Sequence, residues 1–231
     1  MFIEEPKEWR VFKDFETKQS ANDVHLFKIN VPERYSSIEE CYHKVLTKEE
    51  LERASRFFHY KDKISYLART YYLRKILSCF VASAPAKHEF SKRGKNKPVL
   101  NGIEFNISHS KDYVLVAVNS SPLGVDLEYV NPDFNFKPML NSCFDVEEQV
   151  FLNATDERFR FYALWTRKEA ILKASAEGLT NNLQTVNCLS DDTFRKGNKY
   201  NLLTIRFDER YVLSLATKAG SCNVKYWELD C

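Results

Sequence analysis

Apolar residues recur along this chain at two different spacings. Val24-His-Leu-Phe-Lys-Ile-Asn30 is rich in strand formers and alternates, which predicts an early β-strand. Thr47-Lys-Glu-Glu50 has the form of a capping box, so a helix opens there and runs through Leu51 to Phe58. Ile64, Leu67, Tyr71 and Ile76 then repeat at helical spacing and predict a longer helix over 62–81. Pro85 and a basic run read as a loop ending at Pro98. Ile103-Glu-Phe-Asn-Ile107 alternates, while Tyr113 to Asn119 is nearly continuous apolar sequence, the pattern of a buried strand.

After a turn at Ser120-Ser-Pro-Leu-Gly124, a strand is expected over 125–130. Asp145-Val-Glu-Glu148 repeats the capping-box pattern at the head of a short helix. A long helix is expected over 157–176, stopping at Gly178. Tyr200 to Phe207 and Tyr211 to Ala216 read as a hairpin, and 223–229 as a last strand. Helices and antiparallel-type strands occur in both halves, so the fold class is α+β. The element order is similar in the two halves without a sequence repeat.

Composition narrows this picture little. The 231 residues suffice for one large domain or two modest ones, and 44% hydrophobic with 29% charged residues is ordinary for a folded domain. A formal net charge of +2 argues against a nucleic-acid partner, and no apolar run reaches the ~20 residues of a membrane span. With 6 glycines, a Gly-rich nucleotide loop is not the main phosphate device. The 6 cysteines (41, 79, 143, 188, 222 and 231) are scattered without a Cys-x-x-Cys pair. That spacing suits neither a zinc site nor a disulfide framework, and a cytoplasmic setting is expected. Met1 leads into charged sequence with no signal-peptide core.

Three segments can carry chemistry. Asp126 and Glu128 lie two apart on an expected strand, so both project to one face. A cation between two such carboxylates relieves their repulsion, and hard oxygen donors favour Mg²⁺ or Mn²⁺; the competing reading is a solvent-facing strand edge. Glu169 and Lys173 stand at i and i+4 on the long helix, either as a surface ion pair or as a third ligand with a phosphate-binding cation one turn on. Phe105-Asn-Ile-Ser-His-Ser110 is read as a strand giving way to polar residues, of which Ser108 and His109 could donate to a phosphate. A serine hydrolase is disfavoured because the elbow glycines are missing. A metal-dependent nuclease and a non-catalytic coenzyme-binding module are the rival readings.

Taken in order, Lys97-Pro98, Phe105-Asn-Ile-Ser-His-Ser110, Gly124-Val-Asp-Leu-Glu128 and Trp165-Thr-Arg-Lys-Glu-Ala-Ile-Leu-Lys173 resemble the Sfp-type 4′-phosphopantetheinyl transferases. Ala68-Arg69-Thr-Tyr-Tyr-Leu-Arg74 is similar to a helix of some members, including those of cyanobacterial type. The resemblance spans about 24–229. It implies two pseudo-symmetric halves, 1–122 and 123–231, each a small mainly antiparallel sheet packed with a long helix, around a cleft for coenzyme A. It also implies a monomer that moves the 4′-phosphopantetheine arm of coenzyme A onto a serine of an apo acyl or peptidyl carrier protein, with Mg²⁺. The metal ligands implied are Asp126, Glu128 and Glu169. Lys97, Pro98, Ser108 and His109 are implied at coenzyme A, Lys173 at the pyrophosphate, and Glu148 or Glu169 as acceptor of the serine proton. An arginine used by some relatives falls at Ser65, which leaves Arg69, Lys92, Arg93 or Lys95 to supply its charge. Asn96 replaces a usual glycine, so a left-handed asparagine is expected there. Phe134, Phe136 and Met139 are candidates for the carrier surface, or for core.

Overall fold

A computed structural model describes residues 3–5, 7–13, 19–95, 97–100, 102–178, 182–220 and 223–229. Asn96, Cys222 and Cys231, on which expectations were placed, lie outside them. In chain order the elements are β1 (Ile3–Glu4), β2 (Arg10–Phe12), β3 (Val24–Asn30), α1 (Val31–Ile38), α2 (Lys48–Ser55) and α3 (Tyr60–Ser78). Then come β4 (Ser91–Arg93), β5 (Lys97–Leu100), β6 (Ile103–Ser110), β7 (Tyr113–Asn119) and β8 (Leu123–Tyr129). The rest are α4 (Leu140–Cys143), α5 (Val146–Leu152), α6 (Glu157–Ser175), β9 (Asp192–Arg195), β10 (Asn198–Asp208), β11 (Tyr211–Lys218) and β12 (Val224–Leu229).

These build two sheets in a four-layer α+β stack. One sheet has the order β2-β12-β3-β7-β6-β5-β4, the other β1-β10-β11-β8 with β9 added on β10. Alternation along the strands gives each sheet two buried faces. Phe27, Ile29, Val114, Val116 and Val118 pack under α3 through Tyr72, Ile76 and Leu77. Leu26, Leu115 and Ala117 turn the other way, against Val125, Leu127, Leu213 and Leu215 of the second sheet. The far face of that sheet, with Leu202, Val212 and Ala216, packs under α6.

Both capping boxes form: Thr47 with Glu50 and Asp145 with Glu148. The terminal strands cross between the two halves of the sequence, β12 pairing with β3 in the first sheet and β1 with β10 in the second, both parallel. Two expectations change. The segment expected as a loop before Pro98 contains β4, antiparallel to β5. The long helix ends at Ser175 because Ala176, two residues before Gly178, takes the left-handed conformation at φ 58°.

Candidate active site

The site forms where β8, the last strand of its sheet, meets α6 on one side and β6 of the other sheet at its edge. Gly124 opens this junction. A Cβ there would stand 2.1 Å from the Ala170 carbonyl oxygen and 2.5 Å from the Ala174 nitrogen, so only glycine admits α6 this close. The close approach brings Asp126 and Glu128, on the α6 face of β8, against Glu169 and Lys173. Together with Arg69, Ile107, Ser108, His109 and Trp165, these four line one cavity of about 650 Å³.

As the edge of its sheet, β8 carries unpaired backbone groups that must find partners. Side chains supply them. Asn106 Oδ1 accepts from the Val125 amide at 2.8 Å, Ser108 Oγ from Leu127 at 3.1 Å, and Ser110 Oγ from Tyr129 at 3.0 Å. Lys97 Nζ donates to the Leu123 carbonyl and Lys173 Nζ to that of Val125 at 3.2 Å. The Ser-His-Ser segment is therefore strand rather than the expected break after Ile107, since alternate residues 106, 108 and 110 all face β8.

The two serines have a second partner. Ser108 donates to Asp126 Oδ1 at 2.9 Å and Ser110 to Glu128 Oε2 at 3.1 Å. Lys173 Nζ also holds Asp126 Oδ1, at 2.6 Å. Burial and the neighbouring Asp126 push the Glu128 carboxyl up to about 7, against the Ser110 hydrogen bond. Burial, then Asp126, also raises Glu169, with Lys173 opposing. His109 is exposed on the cavity wall, yet partial desolvation, reinforced by Arg69 and Lys173, lowers its pKa and favours the neutral ring.

The carboxylates fit a hard cation in donor type. Asp126 Oδ2 and Glu169 Oε1 are buried without a hydrogen-bond partner, the kind of acceptor a divalent ion satisfies. Among the described residues, however, no three His, Cys, Asp or Glu are already gathered at metal-holding spacing, Asp126 Oδ1 being taken by Lys173.

Several expected site residues are elsewhere. Glu148 is fully buried in the C-terminal core, paired with Lys168 at 2.7 Å, capping Asp145 and accepting from the Cys188 amide at 3.1 Å. It does not line the cavity, and three hydrogen bonds hold its two oxygens inside the core, which argues against its acting as the base. Lys97 is buried, with Nζ on Glu104 at 3.1 Å, and its pKa is lowered to about 8 by burial. Pro98 is exposed in β5, off the cavity wall. Arg93 reaches Glu104 and, at 3.1 Å, the Ala174 carbonyl; the Lys95 amide bonds the Ala176 carbonyl at 2.9 Å. The basic run thus clasps the end of α6, and the Lys95 side chain lines a separate cavity with Glu177 and Arg195. Arg69 alone of the four arginine and lysine candidates faces the site, its guanidinium 5.2 Å from the Tyr66 ring centroid. Phe136 is core, stacked on Phe161 at 4.5 Å, whereas Phe134 and Met139 line a smaller cavity that shares Glu128 and Trp165 with the site.

Sequence reasoning missed Asn106 and Ser110, although their two-residue spacing from Ser108 was the available signal. It also missed that Arg167 and Lys168 are fully buried anchors. Arg167 donates to the Cys188 carbonyl at 2.7 Å, and Lys168 to the carbonyls of Leu183 and Val186 at 3.0 and 2.6 Å.

Comparison with known proteins bears on the same segments. Residues 122–218 match the family described as the 4′-phosphopantetheinyl transferase superfamily, and residues 36–121 match 4′-phosphopantetheinyl transferase, N-terminal. The chain is 27% identical over 221 residues to 4′-phosphopantetheinyl transferase HetI of Nostoc sp. strain PCC 7120, covering 90% of this chain and 92% of that protein. It is 24% identical over 195 residues to 4′-phosphopantetheinyl transferase Sfp of Bacillus subtilis, covering 83% and 80%. With 4′-phosphopantetheinyl transferase psf-1 of Bacillus pumilus it shares 30% identity over 144 residues, 60% and 62% of the two chains.

Proposed function

The chain belongs to the 4′-phosphopantetheinyl transferase superfamily, and from that premise we propose how its cavity works. It takes coenzyme A and an apo acyl or peptidyl carrier protein, and transfers the 4′-phosphopantetheine arm to a serine hydroxyl. A new bond forms between the serine oxygen and the phosphorus bearing pantetheine. The bond from that phosphorus to the other phosphate breaks, and adenosine 3′,5′-bisphosphate leaves.

Asp126, Glu128 and Glu169 would hold a divalent cation, Mg²⁺ or Mn²⁺, which when bound neutralises pyrophosphate charge and lets carboxylates approach a polyanion. The support is their convergence on one cavity with two orphaned carboxylate oxygens. Lys173, Arg69 and His109 line the same wall and offer donors to phosphate oxygens, the larger contribution in phosphoryl transfer. Glu169, on the cavity wall, is placed to accept the serine proton. Ser108 acts through Asp126, its hydroxyl being committed there. No side chain need bond covalently to the substrate.

Phe134 and Met139, beside the site, form the apolar contact for the carrier protein. The cavity is built from both halves of one chain, which supports a monomer. The free thiols of Cys41, Cys143 and Cys188 favour a cytoplasmic setting, and no helix among the described residues is long and apolar enough to cross a membrane.

The observation that carries this reading is the meeting of the three carboxylates with Lys173, Arg69 and His109 around one cavity. Incubation with coenzyme A, Mg²⁺ and an apo carrier protein should add one phosphopantetheine by mass spectrometry, and EDTA should stop it. Asp126→Ala should abolish the shift. Wild-type turnover in that variant would remove the site assignment.

A further inference from the structure

The open edge of β8 meets β6, an inner strand of the other sheet, without pairing with it. β6 and β8 are joined through the side chains of Asn106, Ser108 and Ser110, each taking one edge amide of β8. A side-chain bridge keeps the two backbones farther apart than a ladder, in which strands lie ~4.8 Å apart, and so leaves room for a cavity. The three links are chemically unequal. The Asn106 amide oxygen only accepts from Val125, whereas a serine hydroxyl can accept and donate at once. Ser108 and Ser110 use both capacities: each takes the amide of one β8 residue and gives its proton to the carboxylate of the residue before it.

We propose that Ser110 is a positioning residue of the active site, fixing the Glu128 carboxylate relative to the β8 backbone as Ser108 fixes Asp126. The argument is geometric. Glu128 is a flexible side chain, and among the described contacts its hydrogen bond is the 3.1 Å one from Ser110. The Tyr129 amide, 3.0 Å away on the other side of the hydroxyl, orients the serine and leaves its proton for Glu128. One small residue thereby ties the carboxylate to a strand of each sheet. Outer-shell hydrogen bonds of this kind commonly change metal affinity ~10–100-fold when removed.

The inference rests on the proposed metal-binding role of Glu128, so the test reads metal affinity directly. Mn²⁺ would be titrated into the full chain with saturating coenzyme A and no carrier protein, with free ion followed by electron paramagnetic resonance. Ser110→Ala should weaken Mn²⁺ at least ~10-fold, and Ser110→Thr, which restores a hydroxyl, should recover most of the loss. Asn106→Ala is the control. It strips an edge amide of its acceptor in the same way but touches no carboxylate, so it should lower thermal stability and leave Mn²⁺ affinity within twofold of wild type. Ser110→Cys, nearly isosteric but a poor hydrogen-bonding group, gives the same reading should the alanine variant not fold. Equal Mn²⁺ affinity in wild type and the folded Ser110 variant would overturn the positioning role while leaving the metal site standing. An equal loss in Asn106→Ala would overturn it too, since the effect would then belong to the strand edge. Absence of Mn²⁺ binding by the wild type would overturn the metal reading itself, and this inference with it.

Discussion

Replacing Gly124 by alanine tests whether the site depends on the contact between β8 and α6. The added Cβ would lie 2.1 Å from the Ala170 carbonyl oxygen, 2.5 Å from the Ala174 nitrogen and 2.9 Å from the Lys173 Cβ. Two of these are backbone atoms of a helix with packed neighbours, so no rotamer change relieves them. Moving the nearest contact out to 3.4 Å requires about 1.3 Å of separation between strand and helix. Overpacking of this kind costs ~1–3 kcal/mol, more than the ~0.4–1 kcal/mol that Gly→Ala returns through the unfolded chain. At roughly 2–4 °C per kcal/mol, Tm should fall by several degrees. The larger effect is on chemistry, because α6 carries Glu169 and Lys173 away from Asp126 and Glu128. A displacement of about 1 Å can cost ~10²-fold, and transfer to an apo carrier protein should drop by that order at a temperature where the variant is folded. Thermal unfolding beside a mass-spectrometric transfer assay gives both numbers. A Gly124→Ala enzyme with wild-type Tm and wild-type kcat would show that the close approach does not set the site.

Lys173→Ala should lower kcat by at least ~10²-fold, as comparable donor removals do, with a smaller change in KM for coenzyme A. An unchanged kcat would reduce Lys173 to the ion pair with Asp126. For Glu128, the carboxyl rises from 4.5 to about 7 on folding. The folded chain therefore holds a proton that the unfolded chain has lost, and this contribution to stability declines as pH rises across that window. Thermal scans without metal should show the decline in wild type and not in Glu128→Gln; a pH-independent difference between the two would contradict it. Glu148→Ala should leave buried Lys168 unpaired at ~3–5 kcal/mol, losing stability while the folded fraction keeps kcat within a few-fold. A stable variant with collapsed turnover would return Glu148 to the chemistry.

Much of the fold was legible because its elements are locally determined. The alternation in Val24 to Asn30, the two capping boxes and the hairpin of β10 and β11 each depend on residues close in sequence. What was not legible depends on distant partners. Nothing in Val224 to Leu229 says that this strand returns to β3 rather than extending the hairpin beside it. Lys168 looks like a solvated lysine beside Glu169, yet helical phase turns it inward, where Glu148 neutralises it and two carbonyls accept its protons. A capping-box glutamate and a catalytic glutamate are the same letters, and only the core around Glu148 separates them.

The four motif segments meet for a reason that their residue types alone do not express. Read as ligands for an anion, Lys97, Ser108 and Lys173 form one set of phosphate contacts. In the folded chain each also satisfies a backbone group on β8: the Leu123 carbonyl, the Leu127 amide and the Val125 carbonyl. A strand edge left open between two sheets must be satisfied or it invites pairing. Satisfying it with backbone would close the space that the substrate needs. Satisfying it with side chains keeps the space open and places hydroxyls and an ammonium beside the carboxylates the strand carries. Structural and chemical demands therefore select the same residue types here, and a variant that breaks one must be scored for both.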